Sequence, residues 1–128
     1  MRTMKYEDIT GKIIGAAMEV HKTLGNGFQE LIYQRALAYE MQMAGLSFAR
    51  EVEQAIYYKK SEEPVGKRRA DFVVENKVLV EIKALTEMDD VHYAQLLNYL
   101  KAYKFEVGLL INFGGKNLVF KRFVLGGI

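Results

Sequence analysis

The sequence of 128 residues contains no cysteine, only two histidines and a single proline. Without cysteine, the chain can form neither a disulfide framework nor a thiolate zinc site. Two histidines are too few for a typical zinc site unless several carboxylates supply the other ligands. Because half of the residues are hydrophobic and only one is proline, the composition argues against a disordered chain.

Long apolar runs are also absent. No stretch approaches the roughly 18 residues of a membrane span, and the first ten residues, MRTMKYEDIT, lack the apolar core of a secretion signal. We therefore expect a cytoplasmic protein with no membrane association. A net charge of +2 is too small to indicate nucleic-acid binding by itself. The length predicts a single domain, residues 1–128, with one hydrophobic core.

Two short apolar runs, at residues 72–74 and 78–80, are joined by the polar segment Glu75-Asn76-Lys77. Such runs, rich in β-branched residues and bounded by a polar connection, predict a β-hairpin. The polar residues at the open end of this hairpin are Asp71, Glu81 and Lys83. Their order and spacing form the pattern D-x9-E-x-K.

The length of the hairpin loop decides which side chains share a face. A two-residue loop would place Glu81 on the face opposite Asp71, because a slip of one residue moves every side chain to the other face. A three-residue loop pairs Asp71 with Glu81 and leaves the other face entirely apolar. We therefore predict the three-residue loop. The apolar face then consists of Phe72, Val74, Val78, Val80 and Ile82.

In this register the carboxylates of Asp71 and Glu81 lie opposite each other, an arrangement that destabilises a strand pair. A cation between them would remove that cost. Carboxylate oxygens with open coordination positions suit Mg²⁺ or Mn²⁺. The alternative is a surface strand pair whose two acids are neutralised by Lys83, and the hairpin alone does not decide between these interpretations.

Hydrophobic periodicity and turn signals divide the rest of the chain into helices and strands. Helices are predicted at residues 8–24, 28–44 and 91–103. Further strands are predicted at residues 46–58, 106–113 and 118–124. This order predicts an α/β (α+β) fold, in which helices pack on a sheet of mixed strand direction.

Two helices carry candidate site residues. Glu30 lies in the first turn of the second helix, where the helix dipole favours an acid, and it is also a candidate third carboxylate aimed at the hairpin. Gln95 lies with His92 and Tyr99 on a polar and aromatic stripe of the third helix. The alternative interpretation of that stripe is a half-exposed flank with no role in a site.

A basic group, Lys67, Arg68 and Arg69, lies just upstream of Asp71. Such a group can contact the phosphates of a nucleic acid, through an interaction that is independent of base sequence and sensitive to salt. These three residues are therefore candidate nucleic-acid-binding residues.

The sequence resembles the GxxExxY family, whose name-giving motif is GFQELIY at residues 27–33. Other matching blocks are IIGAAMEVHKTLG, RADFVVENKVLVEIKAL, HYAQLLNYL and GLLINF. The resemblance covers nearly the whole chain in order and places it in the PD-(D/E)xK nuclease-like superfamily. It implies a restriction-endonuclease-like core, a mixed four-stranded sheet flanked by helices in the order α-β-β-β-α-β.

The resemblance also implies roles for the candidate residues. Asp71 and Glu81 would bind Mg²⁺ or Mn²⁺, and Glu30 would complete the metal shell or hold a metal-bound water. Lys83 would orient the water or stabilise charge on the phosphate, and Gln95 would position the water or a phosphate oxygen. The implied activity is metal-dependent hydrolysis of phosphodiester bonds in DNA or RNA.

The competing hypothesis is a non-catalytic module on the same fold that binds metal or nucleic acid, or pairs subunits in a homo-oligomer. Fold alone does not establish cleavage. A degenerate member would be expected to lose the lysine or one of the acids. Because Glu30, Asp71, Glu81, Lys83 and Gln95 are all present, the sequence favours the enzyme.

Overall fold

The computed structural model describes residues 5–125 of the chain. The elements in that range are α1 (Glu7–Leu24), α2 (Glu30–Met43), β1 (Phe48–Ile56), β2 (Gly66–Val74), β3 (Val78–Lys83), α3 (Asp90–Tyr103), β4 (Val107–Asn112) and β5 (Val119–Val124). Every helix and strand predicted outside the hairpin is present, with ends shifted by at most two residues. Shifts of this size are ordinary because the ends of helices and strands fray.

The five strands form one sheet in the order β1-β2-β3-β4-β5. Neighbouring strands are antiparallel except β3 and β4, which are parallel and are connected through α3. A parallel pair requires such a crossover, because a tight turn can join only antiparallel strands. The predicted mixed sheet is confirmed. The sheet has five strands rather than the four of the implied core, because β5 adds to the edge of β4.

The hairpin of β2 and β3 has the predicted register. Val74 pairs with Val78, and Phe72 pairs with Val80, across the three-residue loop. The predicted apolar face of the hairpin is fully buried. The open end of the hairpin, where Asp71 and Glu81 lie, therefore has the register that brings the two acids together.

Both faces of the sheet are covered. On one face α1 and α2 form the α1–α2 core, whose buried members include Ile13, Ala17, Val20, Tyr33, Leu37, Met41, Phe72, Val74, Val78, Val80 and Ile82. On the other face α3 forms the α3 core, which contains Ala70, Val73, Leu79, Leu96, Leu100, Tyr103 and Leu110. The strands of the hairpin are thus buried between helices, and Asp71, Glu81 and Lys83 lie at its open end.

The alternation of side chains along β2 breaks at Asp71. Ala70 packs in the α3 core, and Phe72 packs in the α1–α2 core, although residues two apart on a regular strand share a face. The register places Glu51 of β1 opposite Asp71, and Glu51 has a φ of 51°, which is uncommon for glutamate. Because of this distortion, even-numbered side chains before Asp71 point to the α3 face of the sheet, and even-numbered side chains after it point to the α1–α2 face.

Candidate active site

Asp71 is held by two hydrogen bonds from different elements. Its Oδ2 accepts a hydrogen bond from the backbone N–H of Ile82 at 2.7 Å, and its Oδ1 accepts one from Nε2 of Gln34 at 3.0 Å. Gln34 is itself buried and accepts a hydrogen bond from the guanidinium of Arg50 through Oε1 at 3.0 Å. The Asp71 carboxylate is therefore fixed from the neighbouring strand and from α2.

Glu81 is the most unusual carboxyl group of the described chain. Its residue is only 7% exposed, and no hydrogen-bond donor among the described residues reaches its Oε1. Burial, and then the charge of Asp71, raise the pKa of Glu81 to about 8, against an opposing effect of Lys83. A buried carboxylate without a partner is costly, so this oxygen is suited to a cation that the protein itself does not supply.

Lys83 ends β3 and is half-buried. Its charge lowers the pKa values of Glu81, Asp71 and Glu30, although in each case burial of the acid has the larger, opposite effect. One cation therefore acts on all three predicted acids. The three side chains and the lysine share one electrostatic environment at the open end of the hairpin.

The segment after Lys83 is fixed by Asn112, a buried residue of β4. Its Oδ1 accepts hydrogen bonds from the N–H groups of Leu85 and Gly114, at 2.8 and 3.2 Å, and its Nδ2 donates to the carbonyl of Leu85 at 2.9 Å. The backbone of Gly114 packs closely against the backbone of Leu85. A Cβ atom added at position 114 would lie only 2.3 Å from the backbone nitrogen of Leu85. This packing locks the strand end that carries Lys83.

Glu30 reaches the site from the first turn of α2. The residue is exposed, yet partial desolvation of its carboxyl raises its pKa, with a smaller contribution from the charge of Asp71. The turn before Glu30 is fixed by Tyr33, whose hydroxyl donates to the carbonyl of Gly25 at 2.6 Å and accepts from the N–H of Phe28 at 3.2 Å. Tyr33 of the GFQELIY segment thus determines where Glu30 lies.

Gln95 reaches the site from the other face of the sheet, on α3. It lines a narrow cleft together with Glu81, Lys83, His92 and Tyr99. The helix is capped at its start because the Asp89 side chain accepts a hydrogen bond from the N–H of Val91, and the His92 ring accepts one from the N–H of Asp89. Three residues of the predicted stripe on α3 therefore line a cleft with Glu81 and Lys83, whereas Glu30 belongs to a different helix, α2.

The basic group of β2 is divided between two environments. Lys67 and Arg69 each lie 3.7 Å from the carboxylate of Glu53 on β1. Arg68 instead lies over the ring of Tyr99 on α3, with 4.0 Å between the guanidinium carbon and the ring centroid. Of the three predicted nucleic-acid-binding residues, only Arg68 is beside the cleft.

Gln34 is the residue of the site that the sequence analysis missed. It lies four residues after Glu30 on α2, and residues four apart lie on the same face of a helix. That spacing was visible in the sequence. The signal that makes Gln34 notable, its burial at 5% exposure with a hydrogen bond to Asp71, appears only in the folded chain.

The residues present fit a divalent cation in part. Within residues 5–125 no group of three or more His, Cys, Asp or Glu side chains is gathered closely enough to hold an ion. Two adjacent carboxyl groups, Asp71 and Glu81, lie together, and Glu30 is within electrostatic reach. Because Mg²⁺ keeps several waters and binds through one or two carboxylates, the pair supplies ligands of the kind that such an ion uses.

The fold and the acid pair define a restriction-endonuclease-like protein, a mixed sheet flanked by helices with two acids and a lysine at the end of a hairpin. A family profile for the PD-(D/E)XK nuclease superfamily matches residues 7–123. The chain therefore belongs to the PD-(D/E)XK nuclease superfamily. Nucleases of this superfamily generally use divalent metal ions.

The crystal structure of SSO0001 is similar, with a TM-score of 0.60 at 19% sequence identity. The match covers 94% of this chain and 60% of that chain. At this identity the similarity supports the fold alone. No curated protein matches the sequence. None of the helices formed within residues 5–125 is long and apolar enough to cross a membrane.

The pKa of Glu81 predicts how the stability of the metal-free protein depends on pH. Because the pKa in the folded state, about 8, lies above the ordinary 4.5, folding favours the protonated carboxyl. The free energy of unfolding should therefore fall as the pH rises from about 4.5 to about 8, by on the order of 4 kcal/mol from this group. Burial raises the pKa of Asp71 as well, which acts in the same direction.

Urea unfolding at several pH values measures this dependence. Glu81→Gln, which cannot ionise, should flatten most of it. Glu19→Gln, at an exposed position on α1, is the matched control and should keep the wild-type slope. A wild-type stability that stays constant or rises between pH 5 and 8 would contradict the assignment.

Proposed function

We propose that this chain is a metal-dependent nuclease of the GxxExxY type, folded as a single domain, that hydrolyses phosphodiester bonds in DNA or RNA with Mg²⁺ or Mn²⁺. The observation that carries the proposal is the buried carboxyl of Glu81, beside Asp71 and Lys83, which has an oxygen without a hydrogen-bond partner among residues 5–125. A purely structural acid pair would be expected to satisfy its oxygens with hydrogen bonds, because unpaired buried groups are costly.

Asp71 and Glu81 would hold the ion, together with the backbone carbonyl of Ile82. When bound, a divalent ion polarises a phosphoryl oxygen and lowers the pKa of a coordinated water. The hydrogen bonds from Ile82 and Gln34 to Asp71 hold this carboxylate in place and lower its pKa, against the larger opposite effect of burial. Asp71 is therefore suited to be a preorganised metal ligand, because these hydrogen bonds fix its carboxylate as they would not fix a mobile surface acid.

Lys83, Gln95 and Glu30 would act on the substrate and the attacking water. Lys83 stabilises negative charge that develops on the phosphate, an effect that is strong in a partly dry cleft. Gln95, which lines the cleft from α3, holds the water or a phosphate oxygen by hydrogen bonds. Glu30, whose carboxyl is partly desolvated, orients a water at the mouth of the site and can accept its proton.

A cleavage assay tests the proposal. Purified protein is incubated with end-labelled single- and double-stranded DNA and RNA in Mg²⁺, in Mn²⁺ and in a chelator. We expect cleavage of at least one of these substrates with metal and none with the chelator. Glu81→Gln should remove the activity, and Glu19→Gln, at an exposed position on α1, should retain it.

Two outcomes would contradict the proposal. Cleavage that persists in Glu81→Gln would indicate a contaminant or another site. Binding of these substrates without cleavage in either metal would instead favour the non-catalytic module on the same fold.

A further inference from the structure

Helix α3 contacts both the backbone and the side chain of Arg68. The Tyr103 hydroxyl lies 2.6 Å from the carbonyl oxygen of Val52 and 3.1 Å from that of Arg68, and the two oxygens share its single proton. One turn earlier on the same helix, the ring of Tyr99 lies 4.0 Å from the guanidinium carbon of Arg68. A side chain fixed in this way loses little conformational entropy when it binds a ligand.

The donors of this guanidinium are available. Among residues 5–125 Arg68 makes no salt bridge, whereas its neighbours Lys67 and Arg69 both lie near Glu53. A guanidinium that packs its face on an aromatic ring keeps its N–H groups free at the edge of the plane. Tyr99 also lines the cleft that contains Glu81, Lys83 and Gln95. The edge of Arg68 therefore has free donors beside the proposed active site.

A role as the counter-ion of Glu81 does not account for this position. The charge of Arg68 lowers the pKa of Glu81, but this is the smallest of the effects on that group. With a divalent cation bound, a second positive charge nearby is unfavourable unless an anion contacts both.

We propose that Arg68, held against Tyr99, binds a phosphate group of the nucleic-acid substrate beside the acid pair. This inference rests on the proposed function, and it assigns to Arg68 the substrate-binding role that the sequence assigned to the whole basic group. The planar guanidinium matches the oxygens of a phosphate with two parallel hydrogen bonds, which the single ammonium of a lysine cannot provide. Tyr99 acts as a positioning residue for Arg68.

Binding of labelled 20-nucleotide single-stranded and duplex DNA, with Ca²⁺ replacing Mg²⁺, tests the inference. Arg68→Met should weaken binding by about 10- to 100-fold, the range expected for a charged hydrogen-bonded pair. Arg68→Lys should recover only part of the loss. Tyr99→Phe, which keeps the ring, should bind like wild type, and Tyr99→Leu should bind about 3- to 10-fold more weakly. Arg35→Met, at an exposed position on α2, is the matched control.

The same variants are then melted in Mn²⁺, because metal binding separates a substrate-binding role from a structural one. Removing the positive charge near Glu81 should leave the Mn²⁺-dependent rise in melting temperature of Arg68→Met unchanged or larger. Weaker DNA binding together with an unweakened metal response supports the inference. Arg68→Met could instead lose both DNA binding and the metal response, with Arg68→Lys fully recovering both. That result would show that the positive charge of residue 68 supports the fold, and it would overturn the inference.

The outcomes also separate this inference from the proposed function. If Arg68→Met binds and cleaves like wild type, the inference fails and the nuclease proposal stands. If wild type binds DNA through Arg68 but cleaves no nucleic acid in any metal, the inference stands and the nuclease proposal fails. If wild type neither binds nor cleaves DNA or RNA, both are overturned.

Discussion

Lys83→Ala should lower the rate of phosphodiester hydrolysis by about 10²- to 10³-fold, the loss expected when one preorganised charge that stabilises a transition state is removed. Lys83 is the cation whose charge acts on Glu81, Asp71 and Glu30 together. It lies at a strand end that Asn112 and Gly114 lock in place. Its removal should therefore affect the chemistry more than the position of the acids.

The measurement is a single-turnover cleavage rate, accompanied by the melting temperature in Mn²⁺. Lys83→Ala should keep the metal-dependent rise in melting temperature, since one positive charge fewer near the acids favours cation binding. Lys12→Ala, at an exposed position on α1, should cleave at the wild-type rate. A Lys83→Ala protein that cleaves normally would remove Lys83 from the mechanism, and one that loses its metal response would show that the lysine supports the site structurally.

Saturating Mn²⁺ at neutral pH should raise the melting temperature of the wild-type protein by roughly 10 °C. A ligand that binds only the folded state stabilises it by about 2.7 kcal/mol at 100 times its dissociation constant, and a domain of this size gains a few degrees per kcal/mol. The rise should be larger at pH 8 than at pH 6, because the ion displaces the proton that Glu81 holds up to a pKa of about 8.

Glu81→Gln is the decisive variant for this measurement. It should lose the response to Mn²⁺, and without metal at pH 8 it should be at least as stable as wild type, because it removes a buried charge whose Oε1 has no partner in the described part of the chain. Most substitutions destabilise, so a stabilising one is diagnostic. An unchanged metal response in Glu81→Gln would place the metal elsewhere, and a marked loss of stability without metal would support a purely structural acid pair.

The two acids should not behave alike, although the sequence treats them as equivalent. Both oxygens of Asp71 accept hydrogen bonds, from Ile82 and from Gln34. In Asp71→Asn one of these donors would face the new amide N–H₂ group, at a cost of about 1–3 kcal/mol. Asp71→Asn should therefore lose stability as well as metal binding, which makes Glu81→Gln the cleaner probe.

The register of the hairpin was predictable from the sequence because it follows from local rules. Only one loop length leaves the face of Phe72, Val74 and Val80 wholly apolar, and that requirement also pairs Asp71 with Glu81. The structure has this register. The helices were predictable for a similar reason, since the apolar spacing and the glycines that end them are visible in the chain.

The environment of Arg68 was not predictable, because it depends on a break in the strand. Regular alternation places Arg68 on the face opposite Asp71, with Phe72. The distortion at Asp71 and Glu51 turns Arg68 toward α3 and its Tyr99. The hydrogen bond from Gln34 to Asp71 was likewise hidden, since it depends on how α2 packs against the sheet rather than on the sequence of either element.

The most direct test is the anomalous difference map of crystals of the wild-type protein soaked in Mn²⁺ above pH 8, where Glu81 is ionised. The proposed function predicts a strong manganese peak that contacts the carboxylates of both Asp71 and Glu81, and no such peak in Glu81→Gln crystals soaked in the same way. A map with no peak at this pair under saturating Mn²⁺, or with the same peaks in both proteins, would contradict the assignment of the acid pair as the metal site of a nuclease.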